Sequence, residues 1–151
     1  MADIYVLYGN GNCGKSSTIK EVYRILSLKY PNCRNKNIIE PDAYDILRVE
    51  MHNIKEFPIG IRSEGDTKRE LKETLEYFAL HKCKIIFCAE SIGNISSKSK
   101  KTKVEEWVDK WNANHKDLQY KITPFFQQNS KTGQAIKNWR KAKKMIKKAG
   151  L

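Results

Sequence analysis

The most constraining feature of the sequence is a glycine-rich segment between a strand-like run and a helix-like run. Residues 3–8 are mostly β-branched, aliphatic or aromatic, which is typical of a buried strand. From Lys15 to about Lys29, apolar residues recur every three or four positions, and this spacing predicts an amphipathic helix. Three glycines lie in between and permit a tight turn. The three parts together predict the first βα unit of an α/β domain.

The segment fits the pattern G-x-x-x-x-G-K-[ST] and has the strand and helix that this pattern requires. Successive N–H groups of such a loop, together with the helix N-terminus, form a nest for anions. We expect Lys15 to reach the β- and γ-phosphates of a nucleotide and the Ser16 hydroxyl to bind Mg²⁺ as a hard oxygen ligand. The predicted nucleotide-binding residues are Gly9, Asn10, Gly11, Asn12, Cys13, Gly14, Lys15, Ser16 and Ser17.

Over residues 3–26 the chain resembles the P-loop NTPase superfamily. The resemblance implies binding of a nucleoside triphosphate and Mg²⁺ through the loop, and it leaves the substrate open because this fold serves kinases, motors and switches alike. The guanine signature N-K-x-D is absent, since residues 35–38 read Asn-Lys-Asn-Ile. ATP is therefore the expected nucleotide. The size of the chain fits a small kinase-like or stand-alone NTPase.

P-loop enzymes also use an acid at the end of a neighbouring strand, where it holds Mg²⁺ or orients a nucleophile. Two residues are candidates for this catalytic role beside Lys15. Asp66 follows Gly65 after a strand-like run, and Glu90 follows the buried run at residues 85–89. We favour Asp66 slightly as the magnesium-assisting acid, because the glycine before it permits close approach to a metal. The alternatives are a helix N-cap role for Asp66 and a solvent-facing position for Glu90.

The rest of the chain alternates between strand and helix patterns. Strand-like runs at 46–54 and 57–61 predict an antiparallel hairpin that turns at 53–56. The other predicted elements are a short strand at 37–39, a helix after the capping box of Thr67 and Glu70, strands at 84–89 and 119–126, and helices at 104–115 and 131–149. We therefore expect a single domain over residues 1–151, with the three-layer P-loop architecture, a mainly parallel sheet and an inserted antiparallel hairpin.

The excess positive charge of the chain is concentrated after residue 117. The chain has 29 Lys plus Arg and 17 Asp plus Glu, but the last acid is Asp117 and nine basic residues follow it. In the helix predicted at 131–149, an apolar stripe through Ala135, Trp139 and Ile146 is expected to dock on the body. The cations then form either a surface for non-specific nucleic-acid binding or a solvated helix face.

Composition narrows the remaining possibilities. No apolar run is long enough for a transmembrane helix, and the N-terminus lacks the pattern of a signal peptide. The four cysteines have no CxxC spacing, so we expect no zinc site and a reducing, cytoplasmic location without membrane partners. One functional hypothesis is an ATP- and Mg²⁺-dependent enzyme that hydrolyses the nucleotide or phosphorylates a small acceptor. The alternative is a nucleotide-responsive module that binds nucleic acid or protein.

Overall fold

A computed structural model describes residues 2–10, 14–30, 44–51, 54–63, 68–92, 101–127 and 133–151 of the chain. This part contains five strands and four helices. In chain order they are β1 (Ala2–Gly9), α1 (Lys15–Lys29), β2 (Tyr44–Met51), β3 (Ile54–Arg62), α2 (Lys68–Leu80), β4 (Ile85–Ser91), α3 (Lys103–Asn114), β5 (Tyr120–Gln127) and α4 (Gln134–Lys148). The strand predicted at 37–39, and Thr67 of the predicted capping box, lie outside the described residues.

The five strands form one sheet in the order β2-β3-β4-β1-β5. Strand β1 pairs in parallel with β4 on one side and with β5 on the other, and β3 pairs in parallel with β4. Strand β2 runs antiparallel to β3. The predictions of an α/β fold, a mainly parallel sheet and an antiparallel hairpin are therefore confirmed.

The direction of the crossovers determines which face of the sheet each helix covers. The connection from β1 to β3 runs toward one edge of the sheet, whereas the connections from β3 to β4 and from β4 to β5 run toward the other. Right-handed crossovers then place α1 on one face and α2 and α3 on the opposite face. Two separate hydrophobic clusters agree with this arrangement: α2 and α3 supply one, and α1 and α4 supply the other. Helices on both faces of the sheet are compatible with a three-layer architecture.

Strand β1 contributes to both clusters because its side chains alternate between the two faces. Ile4 and Val6 pack with α2 and α3, whereas Tyr5 and Leu7 pack with α1 and α4. All four side chains are buried, as expected for an interior parallel strand. The continuous apolar run in the sequence therefore reflects burial on two sides.

The predicted boundaries of the hairpin were wrong. Residues 54–56, which were expected in the turn, belong to β3, and Met51 pairs with Ile54 across a two-residue connection. Pairing these residues satisfies backbone groups that a longer turn would leave to solvent. Glu56 is exposed, so its polarity marks a solvent-facing position in the strand.

The predicted docking stripe of α4 was also wrong in its first half. Ile146 is buried as expected, and Ala142 is buried beside it, but Ala135 is exposed and Trp139 retains 41% of its accessible surface. Asn138 takes the inward position instead, because it bonds to polar side chains at the end of β5. Trp139, the next residue on the helix, is turned toward solvent. Within the described residues, no helix is long and apolar enough to cross a membrane.

Candidate functional site

The glycine-rich segment follows β1, which lies between β4 and the edge strand β5. Gly9, the last residue of β1, is in register with Ser91 of β4 and with Gln127 of β5. The chain continues from β1 to a helix on one face and from β4 to a helix on the opposite face. Ligands of open α/β sheets bind in the crevice between two such diverging strands, outside their carboxyl ends. The predicted loop therefore begins at the position where this fold offers a binding crevice.

The residues on either side of the loop are arranged around the N-terminus of α1. Gly14 precedes the helix in a left-handed conformation, with φ 88° and ψ 16°. Lys15 is only 8% exposed, and its Nζ donates a hydrogen bond to the carbonyl of Asn10 at 2.5 Å. The ammonium group thus lies against the start of the loop. The predicted loop residues Gly11, Asn12 and Cys13 lie outside the described part of the chain.

Ser16 connects the loop to a second strand of the sheet. Its hydroxyl donates a hydrogen bond to the carbonyl of Ser63 at 3.1 Å, and Ser63 directly follows β3. The Ser63 hydroxyl is itself buried, with no hydrogen-bond partner among the described residues. Ser17, the last predicted loop contact, is exposed. Two hard oxygens, the Ser16 hydroxyl and the Ser63 carbonyl, therefore lie beside the N-terminus of α1.

Three amide side chains, which we call the amide cluster, lie against Gly14. They are Gln127, Gln134 and Asn138. Both glutamines donate to Asn138 Oδ1, at 2.7 Å from Gln127 and 2.8 Å from Gln134. The hydroxyl of Thr18 lies 2.7 Å from Gln127 Oε1 and 3.0 Å from the Gly14 carbonyl oxygen. Gly14 has φ 88°, where a side chain is strained, and a Cβ there would displace the Gln134 amide from the cluster. These contacts join α1, β5 and α4 beside Gly14.

Glu90 lies near the end of β4 and caps a different helix. It is 2% exposed, and its carboxylate accepts hydrogen bonds from the backbone N–H groups of Lys103 at 2.8 Å and Val104 at 2.9 Å. Burial raises the pKa of Glu90, and the two backbone hydrogen bonds partly offset this effect. The Thr102 side chain accepts from the N–H of Glu105 at 3.2 Å. The alternative of a solvent-facing Glu90 was wrong, because its carboxylate is buried at the start of α3.

The end of β3 carries a buried cation that the sequence patterns did not identify. Arg62 Nη1 donates to the Thr74 hydroxyl at 2.7 Å, and Nη2 lies 3.7 Å from the carboxylate of Glu70. Both partners belong to α2, so this contact anchors the end of β3 to that helix. Ser63 and its contact with Ser16 follow directly along the chain. By fixing the end of β3, the Arg62 guanidinium helps to hold Ser63 in contact with Ser16, the predicted Mg²⁺ ligand.

The acid that would assist Mg²⁺ stays a prediction. Asp66 lies outside the described residues, and both carboxylate oxygens of Glu90 accept backbone hydrogen bonds. Within the described ranges, no three His, Cys, Asp or Glu side chains are grouped closely enough to hold a metal ion. The Ser16 hydroxyl and Ser63 carbonyl are nonetheless the kind of hard oxygen donor that Mg²⁺ prefers when phosphates and water supply its other ligands.

Sequence patterns did not identify Thr18, Ser63 or the amide cluster. The available signal was the polar character of Gln127 after two phenylalanines and of Asn138 within an amphipathic helix. The hydrogen bonds of Thr18 to Gln127 and Asn138 join residues more than a hundred positions apart, so no local pattern predicts them. No family model, curated protein or solved structure matches the chain.

Proposed function

We propose that this chain is an ATP- and Mg²⁺-dependent P-loop NTPase, which hydrolyses the nucleotide or transfers its terminal phosphoryl group to a small acceptor. One observation carries the proposal. The G-x-x-x-x-G-K-S segment connects the interior strand β1 to α1, and Gly14, which directly precedes the helix, is left-handed. Such a step directs backbone N–H groups and the positive end of the helix toward one point.

Lys15 supports a phosphate site at this point. Its ammonium donates to the carbonyl of Asn10, so a phosphate oxygen would replace a neutral acceptor with a charged one. Charge-assisted hydrogen bonds are roughly twice as strong as neutral ones. In this proposal Lys15 bonds to the β- and γ-phosphates, and the N–H groups of Ser16 and Ser17 complete the contacts to the phosphates.

Ser16 supports a Mg²⁺ role because its hydroxyl faces the end of β3. Asp66, the favoured acid, is three residues beyond Ser63 in the sequence, and Ser63 contacts Ser16 directly. When bound, Mg²⁺ would neutralise charge on the terminal phosphates. In this proposal Ser16 holds the ion, and Asp66 orients its water ligands.

The central test compares nucleotide binding by the parent chain and by Lys15→Ala. Removing the ammonium should weaken ATP·Mg²⁺ binding by at least about tenfold for each charge-assisted hydrogen bond lost. Lys20→Ala, which removes an exposed cation from the same helix, is the matched control and should bind ATP like the parent. Isothermal titration calorimetry measures all three affinities, and unchanged binding by Lys15→Ala would overturn the phosphate-loop assignment.

Phosphate release separates hydrolysis from phosphoryl transfer. An NTPase releases inorganic phosphate from ATP alone, whereas a kinase consumes ATP faster when its acceptor is present. A screen over nucleosides and nucleotides, with Lys15→Ala as the inactive control, distinguishes the two reactions. If the chain binds ATP but neither hydrolyses it nor transfers its phosphoryl group to any acceptor, the result favours the second candidate, described next.

The second candidate is a nucleotide-responsive binding module, and the amide cluster is the observation that favours it. Asn138 lies on the inner side of α4 and reaches Gly14 through Thr18 and Gln134. If nucleotide binding changes the conformation of the loop, these contacts would transmit the change to α4. A partner on α4 that changes ATP affinity, without turnover, would support this candidate over the enzyme.

A further inference from the structure

Helix α4 presents a basic outer surface. Its inner side, including Ala142, Met145 and Ile146, packs into the hydrophobic cluster shared with α1. Its cationic residues are Lys137, Arg140, Lys141, Lys143, Lys144, Lys147 and Lys148. The helix is therefore fixed on the body by one side and exposes a dense positive charge on the other.

Five exposed residues on one side of α4 form what we call the outer stripe. They are Ile136, Trp139, Arg140, Lys143 and Lys147, which recur at three- and four-residue intervals. In the described part of the chain, no carboxylate lies within 4.0 Å of Arg140, Lys143 or Lys147. The cations of the outer stripe are thus available to an external anion.

Trp139 distinguishes the outer stripe from an ordinary solvated lysine surface. Trp107 and Trp111 are buried at 6% and 7% exposure, whereas Trp139 is 41% exposed. The Nζ of Lys143 lies 4.2 Å from the centroid of the Trp139 ring, within the range of a cation–π contact. An exposed indole bordered by cations combines a stacking surface with partners for phosphates.

We propose that the outer stripe binds single-stranded nucleic acid. One base stacks on Trp139, and the flanking phosphates bond to Arg140, Lys143 and Lys147. The proposal goes beyond the NTPase function and does not require bound ATP. It supplies the partner that a nucleotide-responsive module would need.

The stripe favours a single strand over a duplex or a lipid surface. Unpaired bases are free to stack on an aromatic side chain, and such stacking tolerates any sequence. A helix that lies on a membrane inserts an apolar face, but the apolar face of α4 is already packed on the body. Only Ile136 and Trp139 are large exposed apolar residues on this helix, which leaves little to enter lipid.

Charge crowding on α4 also favours a polyanionic partner. Cations three and four positions apart on a helix repel one another, and Arg140, Lys143 and Lys147 have this spacing. A row of phosphates relieves the repulsion along the whole stripe. Binding is therefore expected to release counterions and to weaken steeply as salt increases.

The stacking contact is tested with fluorescein-labelled oligothymidylate and two variants of Trp139. Trp139→Leu should weaken binding by about 5- to 150-fold, the range expected from loss of one stacked base. Trp139→Tyr retains a ring and should recover most of the affinity. Tyr77→Ala removes a comparably exposed aromatic residue from α2 and serves as the matched control. Oligothymidylate should also quench the tryptophan emission of the parent.

The phosphate contacts are tested by a triple variant and its charge-matched control. Arg140→Gln, Lys143→Gln and Lys147→Gln together should make the negative slope of log K against log salt less steep by about 2, because each neutralised phosphate of a single strand contributes roughly −0.7 to that slope. Lys84→Gln, Lys110→Gln and Lys116→Gln remove the same charge from exposed positions elsewhere and should leave the slope close to that of the parent.

Three results would overturn the proposal. They are binding of Trp139→Leu at parental affinity, equal or tighter binding of a duplex of the same length, and preferential binding of phosphatidylserine vesicles. Lys15→Ala should still bind oligothymidylate normally, so failure of the ATP site and failure of the outer stripe are separate outcomes. Circular dichroism of each variant checks that the exposed substitutions leave the fold intact.

Discussion

Two helices that begin at the same edge of the sheet, α1 and α3, differ in how their N-termini are capped. Helix α3 follows β4, and its first N–H groups bond to Glu90 and to the Thr102 side chain, with Glu105 and Glu106 in the first turn. Helix α1 follows the adjacent strand β1. Among the described residues, no side chain caps α1, and its first turn contains no acid.

The difference shows which helix end the protein stabilises with its own anions. Carboxylates near a helix N-terminus interact favourably with the helix dipole and satisfy N–H groups that have no partner in the helix. At α3 this role belongs to the chain itself, so that end is structural. At α1 a lysine takes the place of the acids, and the arrangement fits an external anion. In the proposed function the phosphate therefore binds at α1, whereas the contacts of Glu90 with α3 are structural.

The largest effect is expected at Gly14. An alanine at φ 88° is strained, and its Cβ would displace the Gln134 amide from the amide cluster, so Gly14→Ala should destabilise the fold by about 2–4 kcal/mol. Gly133 precedes α4 at φ 66°, but a methyl group added there would meet no atom within 4 Å, so Gly133→Ala should cost only about 1–2 kcal/mol. Urea denaturation of both variants measures the difference. Equal losses would contradict the role of the amide cluster.

The next largest effect is expected at Glu90. In Glu90→Gln an NH₂ group faces a backbone N–H, so the variant should lose about 1–3 kcal/mol of stability at neutral pH. Its ATP affinity should match that of the parent. Unchanged stability together with lost turnover would instead make Glu90 the magnesium-assisting acid and contradict the structural assignment.

Glu90 also gives the fold a pH dependence of defined sign. Its pKa in the folded state is raised above the ordinary value of 4.5. Between the two values the folded chain binds more protons than the unfolded chain, so this group makes stability fall as pH rises from about 4.5 to the folded-state pKa. Urea denaturation across this range should show that the gap between parent and Glu90→Gln narrows as pH increases. If the stability difference between parent and Glu90→Gln instead widens as pH rises, the pKa of Glu90 is not raised in the folded state.

The smallest stability effect is expected from making α1 resemble α3. Ser17→Glu places a carboxylate in the first turn of α1 and should stabilise the helix by about 0.3–1 kcal/mol. The same charge repels phosphate, so ATP affinity should fall even as the melting temperature rises. Ser17→Gln is the uncharged control. If stability and ATP affinity both rise or both fall in Ser17→Glu, the N-terminus of α1 is not a site for an external anion.

The elements that the sequence predicted well have a continuous local pattern. Strand β1 and helix α1 were confirmed because an apolar run and a three-to-four spacing are visible without knowledge of the rest of the chain. The solvent-facing alternative for Glu90 and the inward position expected for Trp139 were wrong. The burial of Glu90 depends on α3, which begins thirteen residues later, and the orientation of Trp139 depends on the bonds of Asn138 to β5. Long-range polar contacts of this kind leave no periodic signal.

The most direct test of the account follows the backbone amides of both helix ends during one titration. We expect ATP·Mg²⁺ to shift the ¹⁵N–¹H resonances of Lys15, Ser16 and Ser17 in α1 and to leave those of Lys103 and Val104 in α3 almost unchanged. The Lys15→Ala variant should show much smaller shifts at α1. Resonances that move equally at both helix ends, or at neither, would contradict the assignment of a phosphate site to the N-terminus of α1.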